Sequence, residues 1–323
     1  MTKYSLVLLI VFCTEITVAQ NKSFKEDAAL KSAAAESCAC VDSINNYNKT
    51  KAQVAAGIHE CIKKQVVYFQ ITQQVFRSMD LDSILAGKAS KDVQIAVDDD
   101  ETSPYFKKYY YEIERYMRDS CAAMDAKMAS NELINHQSVS EDRQALRLYD
   151  KGLEAVRSEN LDTAIAYFEK ALIVDQKFAF AWDNLGLCYR KKGDYDAAIR
   201  AYQKSLSIDP KGVTPLQNIA VAYQFKKQYD KAIDAFKVLE TVDSTNPEVY
   251  YGIGRTYAVY MGELEKGLDY MCKAYNLYVE QKSPYRTDAE QVMSQIYRQM
   301  EENGNAEKFA KILKENNISI SDE

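Results

Sequence analysis

The sequence predicts an all-α protein in two parts: a small three-helix domain, and after it a solenoid of stacked helix pairs. Three observations predict it. Helix breakers are scarce, with 11 Gly and 5 Pro in 323 residues, while good helix formers abound. Val54, Ile58, Cys61, Ile62 and Phe69 fall on one face at helical spacing. A pattern of large aromatics and small residues that starts at Trp182 comes back after 34 residues.

The first twenty residues, MTKYSLVLLIVFCTEITVAQ, read as a secretory leader spanning residues 1–19. Lys3 supplies the positive end, Leu6 to Phe12 the apolar run, and Thr17-Val18-Ala19 a small-residue cleavage site. The apolar run is too short to cross about 30 Å of hydrocarbon. Phe12 is too bulky for a lipid-attachment motif at Cys13. No integral membrane span is expected elsewhere, and the mature chain is expected in a periplasm.

Residues 20–140 read as a helical N-terminal domain. Its helices are expected at Lys25–Ile44, at Lys51–Met79, and as one continuous helix over residues 104–129. Ser103-Pro104 supplies an N-cap and a first-turn proline for the third. The run Asp98-Asp99-Asp100-Glu101 lacks the alternation, the glycine and the distal Glu of a calcium loop. It reads as a solvated loop.

Residues 141–280 carry the repeat. Trp182, Leu185, Gly186, Tyr189, Gly193, Tyr195, Ala198, Tyr202, Ser205 and Pro210 keep a fixed order. A shift of 34 forward maps Tyr189 to Tyr223, Tyr195 to Tyr229, Ala198 to Ala232 and Tyr202 to Phe236. A shift back maps Gly186 to Gly152 and Tyr202 to Phe168. A second forward shift reaches Tyr250, Ile253, Gly254 and Tyr257. The register then slips by one residue, with Gly262 at the turn. These positions resemble the tetratricopeptide (TPR) repeat over Ala145 to about Tyr278, in four units. Residues 281–323 read as capping helices and a short tail. The resemblance implies antiparallel helix pairs stacked into a right-handed superhelix.

It also implies a concave groove lined by the first helix of each unit, which holds a peptide or helix of a partner protein. The groove positions it assigns are Tyr149, Leu153 and Val156 in the first unit, and Asp183, Asn184, Leu187, Arg190 and Lys191 in the second. The third unit contributes Gln217, Asn218, Val221, Gln224 and Phe225, and the fourth Tyr251, Arg255 and Val259. One TPR subclass grips a C-terminal carboxylate with Lys and Asn. Tyr149, Leu153, Thr214 and Asn218 stand at the corresponding positions and only Asn184 fits, so that mode is not expected. The protein's own N-terminal helices are an alternative occupant of the groove.

Beyond Cys13, four cysteines fall in the N-terminal domain, and an even set in an oxidising compartment suggests two disulfides. Cys38 and Cys40 lie about 200° apart around a helix and so face different neighbours. A turn centred near residues 48–50 sets Cys38 beside Cys61 and leaves Cys40 for Cys121. Metal or redox chemistry at the Cys38-Ala39-Cys40 and His59-Glu60-Cys61 motifs is the rival reading. The motifs sit deep inside helices, away from the helix ends that activate thiols, and no metal or other cofactor is expected. Cys188 and Cys272 read as small buried thiols. His59 reads as a surface residue, and Glu112 and Glu114 as a solvated face. The net charge of −6 is spread along the chain with no basic stripe for nucleic acid. No phosphate loop or nucleophile turn occurs, so the chain reads as a non-enzyme. The expected role is an exported scaffold for protein–protein contact, or a structural subunit of an envelope complex.

Overall fold

The computed structural model describes residues 27–45, 49–78, 96–129 and 138–318. The expected leader and His136 lie outside the described residues. Every described element is helical, and the chain divides into two compact units. Among the described residues no helix is long and apolar enough to cross a membrane.

The N-terminal unit contains α1 (27–42), α2 (Lys51–Ser78), α3 (Pro104–Ser120) and α4 (Ala122–Ala129). α2 starts on a reciprocal cap: the Thr50 hydroxyl accepts from the Gln53 amide at 3.2 Å, and Gln53 Oε1 accepts from the Thr50 amide at 2.9 Å. α3 starts as expected, with Ser103 Oγ accepting from the Phe106 amide at 3.0 Å and Pro104 in the first turn. Val54, Ile58, Ile62, Val66 and Phe69 form the buried stripe of α2. Phe106, Tyr109, Tyr110, Ile113 and Met117 form that of α3. Phe69 meets Tyr109 edge-on at 5.5 Å.

Several expectations are corrected here. The third helix is not continuous: Cys121 leaves the helical region, with φ −110° and ψ 93°, and splits it into α3 and α4. The cysteines pair the other way, Cys38 with Cys121 and Cys40 with Cys61. The hairpin is asymmetric: α1 ends at residue 42 while α2 begins only at Lys51. A Cys40–Cys61 pair centres the hairpin between residues 50 and 51, one residue beyond the expected turn. Because an antiparallel partner moves by two for each residue of centre shift, Cys40 replaces Cys38 opposite Cys61. Glu114 is buried, not solvated. His59 is also buried: Nδ1 lies 3.0 Å from the Tyr110 hydroxyl and Nε2 3.1 Å from Glu101 Oε2.

Nor is the acidic run merely solvated. Gln70 and Gln74, one turn apart on α2, each bond one backbone unit of the incoming chain in both directions. Gln70 donates to the Asp98 carbonyl at 2.8 Å and accepts from its amide at 2.9 Å. Gln74 does the same for Ala96, at 2.6 and 2.9 Å. Asp98 then accepts from Ser103 Oγ. The Glu101 carboxylate pairs with Lys63 and bonds His59. Lys63 and then His59 hold its pKa down to about 2.

The second unit is built from helix pairs: α5 (Arg143–Arg157) with α6 (Leu161–Val174), α7 (Ala179–Lys191) with α8 (Tyr195–Ile208), and α9 (Val213–Phe225) with α10 (Tyr229–Val242). α11 (Pro247–Arg255) runs through a π-helical stretch, Thr256–Met261, before α12 (Leu264–Glu280). α13 (Arg286–Glu302) and α14 (Ala306–Glu315) follow. α7, α9 and α11 start 34 residues apart, and so do α6, α8 and α10. α12 starts one residue late. The wider π turn carries the extra residue within the first helix of the fourth pair, which is the register slip seen in the sequence. Left-handed backbone closes each helix pair, at Glu159, Gly193, Lys227, Gly262 and Gly304.

The first two pairs are each locked by an aromatic ring from their own second helix. Phe168 lies over Gly152 and Tyr202 over Gly186, where a methyl group has no room. Phe236 is directed instead over Gly252 of the following pair. That leaves room for Ala220 in the slot that Gly152 and Gly186 fill.

Candidate functional site

α5, α7, α9 and α11, with the π-helical stretch that continues α11, carry every expected groove position, and the structure sorts them into two groups. The first group is absorbed into the stack. The Tyr149 ring packs 5.6 Å from Phe168 and 4.7 Å from Phe178. Burial drives its phenol pKa well up. Asn184 Nδ2 donates to the Tyr149 hydroxyl at 3.0 Å and to the Phe180 carbonyl at 2.9 Å, which uses both of its N–H bonds. Tyr149 and Asn184 are therefore joints between the first and second repeats rather than exposed contact groups. Leu153 and Val156 are half-buried against the same cluster. Tyr251 is half-buried too, edge-on to Tyr278 at 6.5 Å, and burial raises its phenol. Gln224 reaches across to the next unit, donating to Thr256 Oγ1 at 2.8 Å.

The second group stays accessible. Asp183, Leu187, Arg190, Gln217, Asn218 and Val221 are half-buried, and Lys191, Arg255 and Val259 are exposed. Phe225 is 56% exposed, the highest value among the large aromatic residues described as exposed. It is held against the Tyr195 ring at 5.2 Å with planes 4° apart. Tyr229 and Tyr260 repeat that stack one unit on, at 5.5 Å and 3°. Tyr260 also sits under the Arg255 guanidinium, 5.5 Å from its centroid. Tyr195, Tyr229 and Tyr260 were not among the expected site residues. A 34-residue shift of Tyr195, and a 35-residue shift of Phe225 across the slip, would have found both stacks in the sequence.

Below the stacks runs an ion-pair ladder with the same period. Lys192 pairs with Asp162 and Lys226 with Asp196. Each pair ties the end of one first helix to the start of the preceding second helix. These are exposed pairs, worth little singly, and they act by fixing register.

Cys38, Cys40, Cys61 and Cys121 are bonded to each other. Cys188 and Cys272 are buried free thiols, as expected, and burial pushes their pKa values to about 11 and about 12.

Family profiles agree with the repeat reading over residues 147–244. Tetratricopeptide-repeat family profiles match residues 147–178, 179–211 and 213–244. The fourth pair, with its π turn, falls beyond the matched span. Similar solved structures include a crystal structure of MamA protein, 23% identical, covering 53% of this chain and 89% of that one, with a TM-score of 0.43. Another is MamA 41-end from Desulfovibrio magneticus RS-1, 17% identical, covering 55% and 95%, with a TM-score of 0.45. No match is found among curated protein sequences. Residues 147–244 are tetratricopeptide repeats, and repeats of this family support a protein-interaction scaffold.

Proposed function

We propose that the protein is an exported TPR scaffold that binds a peptide or helix of a partner protein along the first helices of its repeats. Its work is recognition, and no reaction is assigned to it. The observation that carries this reading is the stack of exposed Phe225 on Tyr195, between two family-matched repeats. A rigid aromatic that is already oriented by a ring behind it loses little entropy when a partner covers it. Lys191 and Arg255, on the neighbouring first helices, are exposed cations. A segment with an apolar anchor between acidic residues fits that combination. The aromatic would supply most of the affinity, and the cations mainly on-rate and salt sensitivity. Two disulfides in the N-terminal unit support export into an oxidising compartment. Nothing in the charge pattern favours nucleic acid.

The test is quantitative capture of partners from envelope extract by the mature chain, with identified partners then titrated. Phe225→Ala is expected to lower affinity by about tenfold or more, and Lys191→Ala by less, with both proteins melting like the wild type. Full affinity in a Phe225→Ala, Arg255→Ala double variant would remove the first-helix face as the binding surface.

A further inference from the structure

A cleft of about 650 Å³ opens on the opposite helices, at the joint between the first and second repeats. Its walls are the second helices α6 and α8, and its floor is α7. Leu172 and Ile173 stand on one wall, Ala197 and Ala201 on the other, with Trp182 and Leu185 beneath. The two alanines are one helical turn apart and keep their wall low. Ile173 is 79% exposed, the most exposed large apolar side chain among the described residues. The Trp182 indole is only half-buried and is fixed by its N–H, which donates to the Gln176 carbonyl at 3.0 Å.

The cleft is lined by two cations and one carboxylate. Arg200 and Lys204, also one turn apart on α8, line the cleft and are exposed. Among the described residues neither joins an ion pair, unlike Lys192 and Lys226. The one carboxylate in the lining, Glu169, accepts from the Tyr189 hydroxyl at 3.0 Å. The repeat pattern does not require these residues. A shift of 34 replaces Ile173 by Ser207, Arg200 by Asp234 and Lys204 by Val238. The next joint thus loses the exposed isoleucine and both cations.

We propose that this cleft is a second docking site, which takes an amphipathic helix of a partner protein. The helix would carry an apolar stripe with two carboxylates one turn apart beside it. The volume lies within the usual range for binding clefts, about 300–1,000 Å³. The groove between two helices suits a third helix laid along them, with apolar anchors at i, i+3 and i+4. Ile173 and Trp182 meet the stripe, and the Arg200–Lys204 spacing matches carboxylates at i and i+4. This inference stands apart from the first-helix reading, because it uses a different face and none of the same residues.

Trp182 is the sole tryptophan of the chain, so its emission reports from the floor of this cleft. The probe is a synthetic helical peptide without Trp or Tyr, bearing a leucine stripe and two Glu at i and i+4. Its control carries Lys in place of both Glu. The Glu peptide is expected to give a saturable shift of Trp182 emission, with the Lys peptide weaker by about tenfold or more. Arg200→Glu with Lys204→Glu should reverse that preference. Ile173→Asp should abolish the response with no change in melting, since the side chain is exposed. Equal binding of both peptides, no saturable shift, or full response in Ile173→Asp would each overturn the proposal. Phe225→Ala should leave the response untouched. Its loss in that variant would put the peptide on the first-helix face and refute the cleft assignment.

Discussion

Gly186→Ala tests how the helix pairs are locked. A Cβ built on Gly186 lies 2.6 Å from Tyr202 Cε1, 2.8 Å from Cδ1 and 2.9 Å from Cζ. Tyr202 is fully buried, so its ring cannot step aside. Overpacking of this kind costs about 1–3 kcal/mol, and three ring atoms inside contact distance argue for the upper end. Against it stands a gain of about 1 kcal/mol, because Ala is the better helix former. The expected net loss is about 2 kcal/mol. In a Tyr202→Leu background the ring is gone and only the propensity remains, so Gly186→Ala should then stabilise by about 1 kcal/mol. The sign reverses, with a coupling of about 3 kcal/mol. Urea unfolding followed by Trp182 emission reads the same helix that carries the mutation. If Gly186→Ala stabilises both backgrounds, the ring does not lie over the glycine and the locking argument is wrong. Ala220 is the internal control: it fills the same slot in the third pair, where Phe236 lies over Gly252 instead.

Three further outcomes follow from the same structure. Stability of the N-terminal unit should fall with acid in two stages. Burial lowers the His59 pKa from 6.5, so the unfolded chain takes up a proton first and stability is lost below about pH 6.5. Glu101, depressed from 4.5 to about 2, then contributes stability that is lost as pH falls through that window. Melting from pH 7 to 3 should show both stages, and His59→Gln should remove the first. Non-reducing peptide mapping should find Cys38–Cys121 and Cys40–Cys61, which close 83- and 21-residue separations. Reduction should destabilise the unit by about 4–5 and about 3–4 kcal/mol for the two bridges respectively on the chain-entropy account. Deleting Val259, an exposed residue of the π stretch, restores the 34-residue period and should preserve cooperative melting. Deleting Val221 from the regular helix α9 should not, because it rotates the rest of that helix by about 100°.

What was legible in the sequence was whatever the period repeats. The helix starts at Ala179, Val213 and Pro247, the packing glycines and the one-residue slip could all be read by shifting the chain against itself. The form of the slip could not, because an inserted residue can lengthen a loop as easily as widen a helical turn. The groove positions were only partly legible. Slot alone does not tell Tyr149 from Phe225. The first is flanked by Phe168 and Phe178 and becomes core, while the second ends its helix beside Tyr195 and stays exposed. In the N-terminal unit no period exists to help. Burial of His59 and Glu114 is decided by helices distant in sequence, and the cysteine pairing turned on one residue in the position of a turn.

The paired glutamines of α2 have a consequence for how the N-terminal unit tolerates change over evolutionary time. Gln70 and Gln74 grip amide and carbonyl groups that nearly every residue possesses. The hold on residues 96 and 98 is therefore blind to side-chain identity. That stretch can drift in sequence while its path stays pinned, so long as the two glutamines persist. Proline alone is barred at those two positions, since it has no N–H to give.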